Sequence, residues 1–321
     1  MVGVEVRAMR REEREQVLRL WVTVFGAGDS YFRAYFEGDP WHQDRFTRVA
    51  ELDGELVAAV HAVDRRVRLG NGALRLAGVS NVATLPQHRR RGFSSLLLQD
   101  LAEICRQDGF DIGLLYTGKN AHYARHGWET LSVPYAQLTP PYPPALPANT
   151  LQAEWAPALE ALPRLRAIYD RCATPLSVLR NGAYWSGWIT TRIRDTSPPL
   201  RALILASSGG DVGYALLKEA DEVPGKDQVW ELCLAQGRGD AFSSMLQALV
   251  TDSRGRGVGG LQGDFPLGPR ESEVMGRLGE PRVAESTSAM VLRLAADQSC
   301  YKEVVRLLES GEGRYWSLDH F

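Results

Sequence analysis

An internal repeat limits the fold of this chain more strongly than any other feature of the sequence. The segment Phe93-Ser94-Ser95-Leu96-Leu97 recurs as Phe242-Ser243-Ser244-Met245-Leu246, a shift of 149 residues (242 − 93). Each copy follows a predicted strand and a loop with glycine and arginine, and each begins an amphipathic helix. The 321 residues suit two domains of about 150 residues each. The sequence therefore predicts two copies of one fold.

The spacing of apolar residues predicts an α+β layout with a mostly antiparallel sheet. Asp53-Gly54 suits a type I′ turn, which predicts a hairpin around it. In the first half, the predicted strands are Val4–Met9, Arg45–Leu52, Glu55–Val63, Arg65–Leu69, Ala73–Leu85 and Ile112–Thr117, and the predicted helices are Arg10–Phe25, Ser30–Phe36 and Phe93–Gln107. In the second half, the clearest segments are the strands Leu200–Ala206, Gly213–Lys218 and Val229–Ala235 and the helix Phe242–Arg254.

A proline-rich stretch marks the predicted boundary between the copies. Leu138–Asn149 contains five of the 17 prolines, a composition typical of an extended linker. We therefore predict a first domain over 1–137, a linker over 138–149, a second domain over 150–296, and a C-terminal helix and tail over 297–321.

Composition and charge exclude several classes of protein. A hydrophobic fraction of 44% with 24% charged residues is that of a folded globular chain. The formal net charge of -2 favours neither nucleic acid nor an anionic membrane. The four cysteines are far apart, which predicts buried thiols and no metal site. Because neither a signal peptide nor an apolar span is recognisable, we expect a soluble, cytoplasmic protein.

The basic loop Gln87–Gly92 joins a predicted strand to a predicted helix. The first turn of a helix offers unpaired N–H groups and a partial positive charge, and Gly92 permits close approach of a ligand to the backbone. Three consecutive arginines add charge-assisted donors. These residues indicate a site for a polyphosphate. The alternative is a solvated basic loop, which the unfavourable position of cations at a helix N-terminus makes the weaker interpretation.

The pattern Arg89-x-x-Gly92-x-Ser94 resembles the Arg/Gln-x-x-Gly-x-Gly/Ala signature of the GNAT superfamily of N-acetyltransferases. A second stretch, Leu115–Glu129, resembles the next motif of that superfamily, a strand followed by a short helix with tyrosine and then Gly-aromatic. Ser94 departs from the usual Gly or Ala, but its side chain is small. The resemblance covers roughly Val4–Val133.

This resemblance implies acetyl-CoA as the co-substrate and assigns residues to it. The backbone of Val82, Ala83 and Thr84 would pair with the pantetheine arm as an added strand does. Gly118 and Lys119 would lie close to the cofactor. The pyrophosphate would be held by the segment composed of Arg89, Arg90, Arg91, Gly92, Phe93, Ser94 and Ser95.

The tandem repeat and the stretch Tyr123–Trp128 are similar to the Eis-type (enhanced intracellular survival) branch, in which an active GNAT domain precedes a degenerate one. Most of that branch adds a sterol-carrier-like domain, for which only Asp297–Phe321 remains here. The resemblance implies Tyr123 as the acid that protonates the leaving thiolate and the carboxylate of Phe321 as the base. The alternatives are a packed tyrosine and a tail that merely covers the surface.

The second copy is predicted to bind no coenzyme A. In the repeat alignment, Arg238-Gly239-Asp240-Ala241 stands in place of Arg89–Gly92. A carboxylate at Asp240 would repel a pyrophosphate, and the methyl group of Ala241 would crowd the backbone. We expect the second copy to form a wall of the acceptor pocket.

Three functions remain open from the sequence. The first is an N-acetyltransferase acting on a primary amine of a small molecule or of lysine. The second is a non-catalytic sensor of acyl-CoA, and the third is a structural scaffold. We expect an amine-bearing acceptor as the partner, with neither nucleic acid nor membrane, and a homo-oligomer is left open.

Overall fold

The computed structural model describes residues 3–143, 151–221, 225–235 and 240–321, and it contains two sheets of seven strands each. The strands are β1 (Val4–Ala8), β2 (Thr47–Leu52), β3 (Glu55–Leu69), β4 (Gly72–Thr84), β5 (Ile112–Tyr116), β6 (Glu129–Thr130), β7 (Val133–Thr139), β8 (Gln152–Pro157), β9 (Arg201–Ser207), β10 (Gly210–Lys218), β11 (Asp227–Leu234), β12 (Leu261–Gly263), β13 (Glu280–Ser286) and β14 (Ala289–Arg293). The helices are α1 (Arg14–Phe25), α2 (Asp29–Glu37), α3 (Phe93–Gln107), α4 (Asn120–Ala124), α5 (Ala158–Tyr169), α6 (Gly182–Tyr184), α7 (Thr190–Arg194), α8 (Ala241–Gly255), α9 (Pro269–Leu278) and α10 (Gln298–Glu309). A π-helical segment, Trp185–Ile189, connects α6 to α7.

The two sheets have equivalent strand orders. The first runs β1-β2-β3-β4-β5-β14-β6, and the second runs β8-β9-β10-β11-β12-β7-β13. In each sheet one central pair is parallel, β4 with β5 and β11 with β12, and the other neighbours are antiparallel. The repetition confirms the prediction of two copies of one α+β fold with mostly antiparallel sheets.

The two copies exchange a strand. β7, most of which falls within the predicted first domain, lies in the second sheet between β12 and β13. β14, within the predicted second domain, lies in the first sheet between β5 and β6. The segment 138–149, predicted as a linker, begins with Leu138 and Thr139 of β7, and its residues 144–149 lie outside the described residues. Because each sheet takes a strand from the other half, the halves form one structural unit.

Helix α3 is confirmed with the predicted bounds, Phe93–Gln107. Its buried face packs against the first sheet, and each fully buried apolar side chain contributes roughly 1.5–3 kcal/mol. Gly92, just before the helix, has a φ of 84°, a left-handed conformation that glycine adopts without strain. This packing fixes the N-terminus of α3 at the end of β4. The buried residues of α3 are Phe93, Leu97, Leu98, Leu101 and Cys105.

The hairpin predicted at Asp53-Gly54 is confirmed, because both residues have positive φ (50° and 84°), as a type I′ turn requires. The prediction of a separate strand over Arg65–Leu69 is wrong: β3 continues through Asp64. The Asp64 carboxylate accepts a hydrogen bond from Arg75 on the neighbouring strand at 2.7 Å. In the sequence alone, the charged Asp64 resembles a break between two strands. The ion pair with Arg75 compensates its charge, so a single strand can continue through it.

The described residues contain no helix that is both long and apolar enough to cross a membrane. Cys105, Cys172 and Cys233 are buried, as predicted, and Cys300 is half-buried.

Candidate active site

The central feature of the first sheet is a split between its two parallel strands. β4 and β5 pair only over three residues, ending at Gly78 opposite Leu114. Beyond that point β4 continues to Thr84, paired with β3 on its other side. The stretch with Val82, Ala83 and Thr84 therefore presents a backbone edge without a strand partner on the β5 side, among the described residues. Such an edge can accept an extended ligand as an additional strand.

The basic loop lies at the end of this edge. No side chain in the described part of the chain caps the N-terminus of α3, so its first N–H groups are free to meet an anion. Arg89, Arg90 and Arg91 are exposed around it. The Arg89 Nε donates to the carbonyl of Thr84 at 3.3 Å, and Arg91 lies 3.1 Å from the Nδ1 of His88. The predicted phosphate-binding residues are thus contiguous with the open edge of β4.

The loop after β5 lies at the same edge of the sheet, because β4 and β5 are parallel neighbours. Gly118 and Lys119 are exposed there, and the Lys119 amide donates to the Thr117 hydroxyl at 2.9 Å. Tyr123, in α4, packs against the cluster that contains Trp128, with ring centroids 6.5 Å apart. Burial raises the pKa of Tyr123 above 10, and a hydrogen bond with Thr117 opposes part of this rise. Its phenol therefore stays protonated at neutral pH.

The C-terminal residues approach the split from the opposite face of the sheet. A Cβ on Gly78 would collide with the ring of Phe321, so this ring packs directly on the backbone where β4 and β5 separate. The Tyr116 ring stacks on His320 with centroids 4.2 Å apart and lies 6.0 Å from that of Phe321. The ring of Phe321 thus lies, partly buried, against the sheet at the split.

A cavity of about 790 Å³ opens beside the split. Asp264 contributes a carboxylate, and burial raises the pKa of that carboxyl while the charge of Arg314 opposes the rise. The cavity is large enough for a small organic acceptor. Among its lining residues are Tyr116, Thr117, Gly118, Asp264, Tyr315 and His320.

We expect His320 to make the docking of the C-terminal residues dependent on pH. Burial is the main cause that lowers its pKa from 6.5 to about 4. Between these values the unfolded chain binds a proton that the folded protein does not, so stability falls as the pH drops from 6.5 toward about 4. We expect His320→Gln, which cannot titrate, to show a weaker fall in Tm over this range. Identical Tm curves for both proteins would contradict this.

The second sheet contains the equivalent split, between β11 and β12, whose pairing ends at Val229 opposite Gly263. The C-terminal segment crosses it. Arg314 is buried and donates to the carbonyls of Asp264 and Phe265, directly after β12, at 3.0 and 2.8 Å. Trp316 is buried and lines a cavity of about 490 Å³, together with residues of β11 and of the segment that follows β12. The C-terminal residues thus fill part of the split in the second sheet, which is the counterpart of the split in the first sheet.

The loop that precedes α8 is described only from Asp240 onward, so Arg238 and Gly239 lie outside the described residues. Ala241 is fully buried at the start of α8, whereas its counterpart Gly92 is exposed. The exclusion of coenzyme A from the second copy stays a prediction. It rests on Asp240, on Ala241 and on the tail that crosses the split.

Sequence reasoning predicted a site at the loop, the edge of β4, Tyr123 and Phe321, and it did not consider the side chains that line the cavity. Asp264 and Arg314 carry no local motif, since their contact joins residues distant in sequence. His320 directly precedes Phe321, the residue that the resemblance implies as the base. No group of three or more His, Cys, Asp or Glu in the described ranges has a metal-binding arrangement.

The aromatic residues of the first two helices divide between core and surface. Trp21 and Phe36 are buried in the core. Phe25 and Tyr31 are exposed, and Trp41 stacks on Tyr184 of the second half with centroids 4.4 Å apart.

Comparison with known proteins places this geometry in context. Residues 5–131 match a protein family described as the Acetyltransferase (GNAT) domain. An uncharacterized N-acetyltransferase of Streptomyces coelicolor is 26% identical over 229 residues, which cover 66% of this chain and 54% of the relative. The chain thus spans about half the length of that relative. The family match falls on the half that contains the split, the basic loop and Tyr123.

Two solved structures share the fold of both halves. A conserved protein of unknown function from Enterococcus faecalis V583 has a TM-score of 0.74 at 16% identity, covering 91% of this chain and 72% of its own. Eis1 of Mycobacterium abscessus has a TM-score of 0.66 at 18% identity, covering 91% of this chain and 73% of its own. The predicted fold, two tandem GNAT-like domains, is thereby confirmed.

Proposed function

We propose that the protein is an acetyl-CoA-dependent N-acetyltransferase of the Eis-type branch, on the premise that residues 5–131, which match the Acetyltransferase (GNAT) domain, work as such a domain. One observation carries the proposal most directly: the open edge of β4 runs into the uncapped, arginine-rich N-terminus of α3. A ligand in which a polyphosphate is joined to a long arm with amide groups fits this arrangement. The N-terminus of α3 can bind the anion, and the edge of β4 can pair with the amide groups.

In the bound complex, the pyrophosphate of acetyl-CoA lies at Arg89–Ser95, and the pantetheine arm follows Val82, Ala83 and Thr84. Gly118 and Lys119 flank the arm on the β5 side. The thioester then reaches the split above Gly78, between Tyr123 on one face of the sheet and Phe321 on the other. The acceptor amine enters from the cavity at Tyr116 and His320.

The reaction is a direct transfer within the ternary complex. The neutral amine attacks the thioester carbonyl, an N–C bond forms and the C–S bond breaks. Tyr123 gives its proton to the departing thiolate, while the proton lost by the amine passes to the carboxylate of Phe321, directly or through water. The products are the acetylated amine and free coenzyme A.

The acid role of Tyr123 predicts a selective effect on turnover. We expect Tyr123→Phe to lower kcat about a hundredfold, as loss of a general acid does, while the Kd of acetyl-CoA stays unchanged because the phenyl ring still packs beside Trp128. Steady-state kinetics and calorimetry measure the two effects. Tyr142→Phe is the control, since its hydroxyl donates to Leu138 of the second sheet. An unaltered kcat, with chemistry shown to be rate-limiting, removes Tyr123 from the mechanism.

Thermal unfolding separates an acyl-CoA protein from a scaffold. Acetyl-CoA at 100 times its Kd should add about 2.7 kcal/mol to the free energy of unfolding. No shift in Tm with any acyl-CoA would favour the scaffold. A shift without acetyl transfer to any amine would favour the sensor.

A further inference from the structure

The last nine residues, 313–321, hereafter the tail, run from the split of the second sheet to the split of the first. Most of the tail is buried, including Leu318 and Asp319, which have no exposed surface. The structure therefore has to satisfy the charge of Asp319 without water.

A buried cluster of the second half binds this carboxylate. The guanidinium of Arg180 donates to the two oxygens of Asp319 at 3.1 and 2.7 Å and to the two oxygens of Glu231 at 2.9 and 2.6 Å. The Tyr184 hydroxyl donates to Asp319 at 3.1 Å. All three ionic side chains are fully buried. The planar fork of arginine fixes direction as well as distance, so Asp319 is held in one orientation.

Two further bonds fix the backbone on either side of this contact. The indole Nε1 of Trp188 donates to the carbonyl of Leu318 at 3.0 Å, and the hydroxyl of Tyr315 donates to that of Asp319 at 3.0 Å. Phe321 follows Asp319 by two residues, a reach of at most about 7 Å. Fixing Asp319 therefore leaves Phe321 little freedom to move from Gly78.

We propose that Arg180 is a positioning residue that acts through Asp319 to hold Phe321 at the split of the first sheet. This inference rests on the proposed function, in which Phe321 takes part in acetyl transfer. The proposal gives the second copy a specific role in addition to forming a wall of the acceptor pocket. Its buried cluster binds the tail through Asp319. A buried ion pair adds little net stability compared with apolar packing, which suits a role in fixing geometry.

The contact itself is tested by Asp319→Ala, measured by hydrogen exchange in the full chain. This variant leaves Arg180 paired with Glu231, one buried cation with one buried carboxylate, so the protein is expected to fold. We expect backbone amides of residues 317–321 to exchange at least tenfold faster, a loss of about 1.4 kcal/mol of local protection. Glu312→Gln is the matched control, because it removes an exposed pair with Arg306 from the same C-terminal segment and should leave exchange at 317–321 unchanged. Unchanged exchange in Asp319→Ala overturns the proposal.

The link to catalysis is tested by a double-mutant cycle. Asp319→Ala should lower kcat about tenfold with the KM of acetyl-CoA unchanged, and it should cost nothing more in a chain from which Phe321 has been deleted. Asp319→Asn, which can still bind Tyr184 and Arg180, should recover part of the activity. Two losses that simply multiply would refute positioning through Phe321. If the wild-type chain acetylates no amine, the proposed function fails. The exchange experiment still decides whether the contact of Asp319 with Arg180 holds the tail in place.

Discussion

Replacing Arg91 by glutamate is expected to weaken the binding of acetyl-CoA about a hundredfold, equivalent to about 2.7 kcal/mol. The change places a negative charge where the pyrophosphate is proposed to lie, and it removes a charge-assisted donor. Because Arg91 is exposed, with its guanidinium beside His88 and the ring of Phe93, the fold should tolerate the substitution. Isothermal calorimetry measures the Kd directly.

The repeat provides the control for this experiment. Asp240 is the counterpart of Arg91 in the second copy, so Asp240→Arg should leave both the Kd and the stoichiometry unchanged. We expect one site per chain in the wild-type protein and in this variant. Two cofactor sites per chain would contradict the claim that the second copy is silent, and an unaltered Kd in Arg91→Glu would remove the loop from the cofactor site.

Moving the carboxylate of Phe321 is expected to reduce kcat at least tenfold, about 1.4 kcal/mol, with acetyl-CoA binding intact. A terminal carboxylate has an ordinary pKa near 3.3–3.7, several units below that of the amine, so it can act only if burial raises its pKa or if water relays the proton as the amine attacks. Either route requires a carboxylate at a well-defined position. One glycine added after Phe321 keeps a carboxylate but shifts it by about 3.5 Å. Deletion of Phe321 withdraws the charge by a similar distance.

Phe321→Leu is the matched control, because it changes the ring and leaves the carboxylate at the same position in the chain. Its kcat should stay closer to the wild-type value than that of either length variant. Full activity in a protein that carries a C-terminal tag would refute the proposal and return the role of base to water or to another side chain.

The sequence predicted the local parts of the site because their signals are local. Helix α3 and the turn at Asp53-Gly54 depend on periodicity and on residues adjacent in the chain. The repeat at Phe242 correctly indicated a second copy of the fold, since the same pattern begins α8.

The parts that could not be predicted depend on distant partners. β7 and β14 are short strands that could pair in either sheet, and alternation of side chains predicts a strand but does not specify its neighbour. The contact of Arg180 with Asp319 joins residues 139 positions apart. Nothing near either residue in the sequence distinguishes it from a surface charge. The contact that holds the tail can therefore be recognised only in the folded chain.

The central claim is that the split of the first sheet binds acetyl-CoA and transfers its acetyl group to an amine. The most direct measurement is a mass-detected acetylation screen of the 321-residue chain with acetyl-CoA and a panel of primary amines, small molecules and lysine peptides together. We expect at least one acetylated amine, formed in equal amount with free coenzyme A and strongly reduced in Arg91→Glu. Binding of acetyl-CoA without any acetylated product, or product formation that is indifferent to Arg91→Glu, would contradict this account.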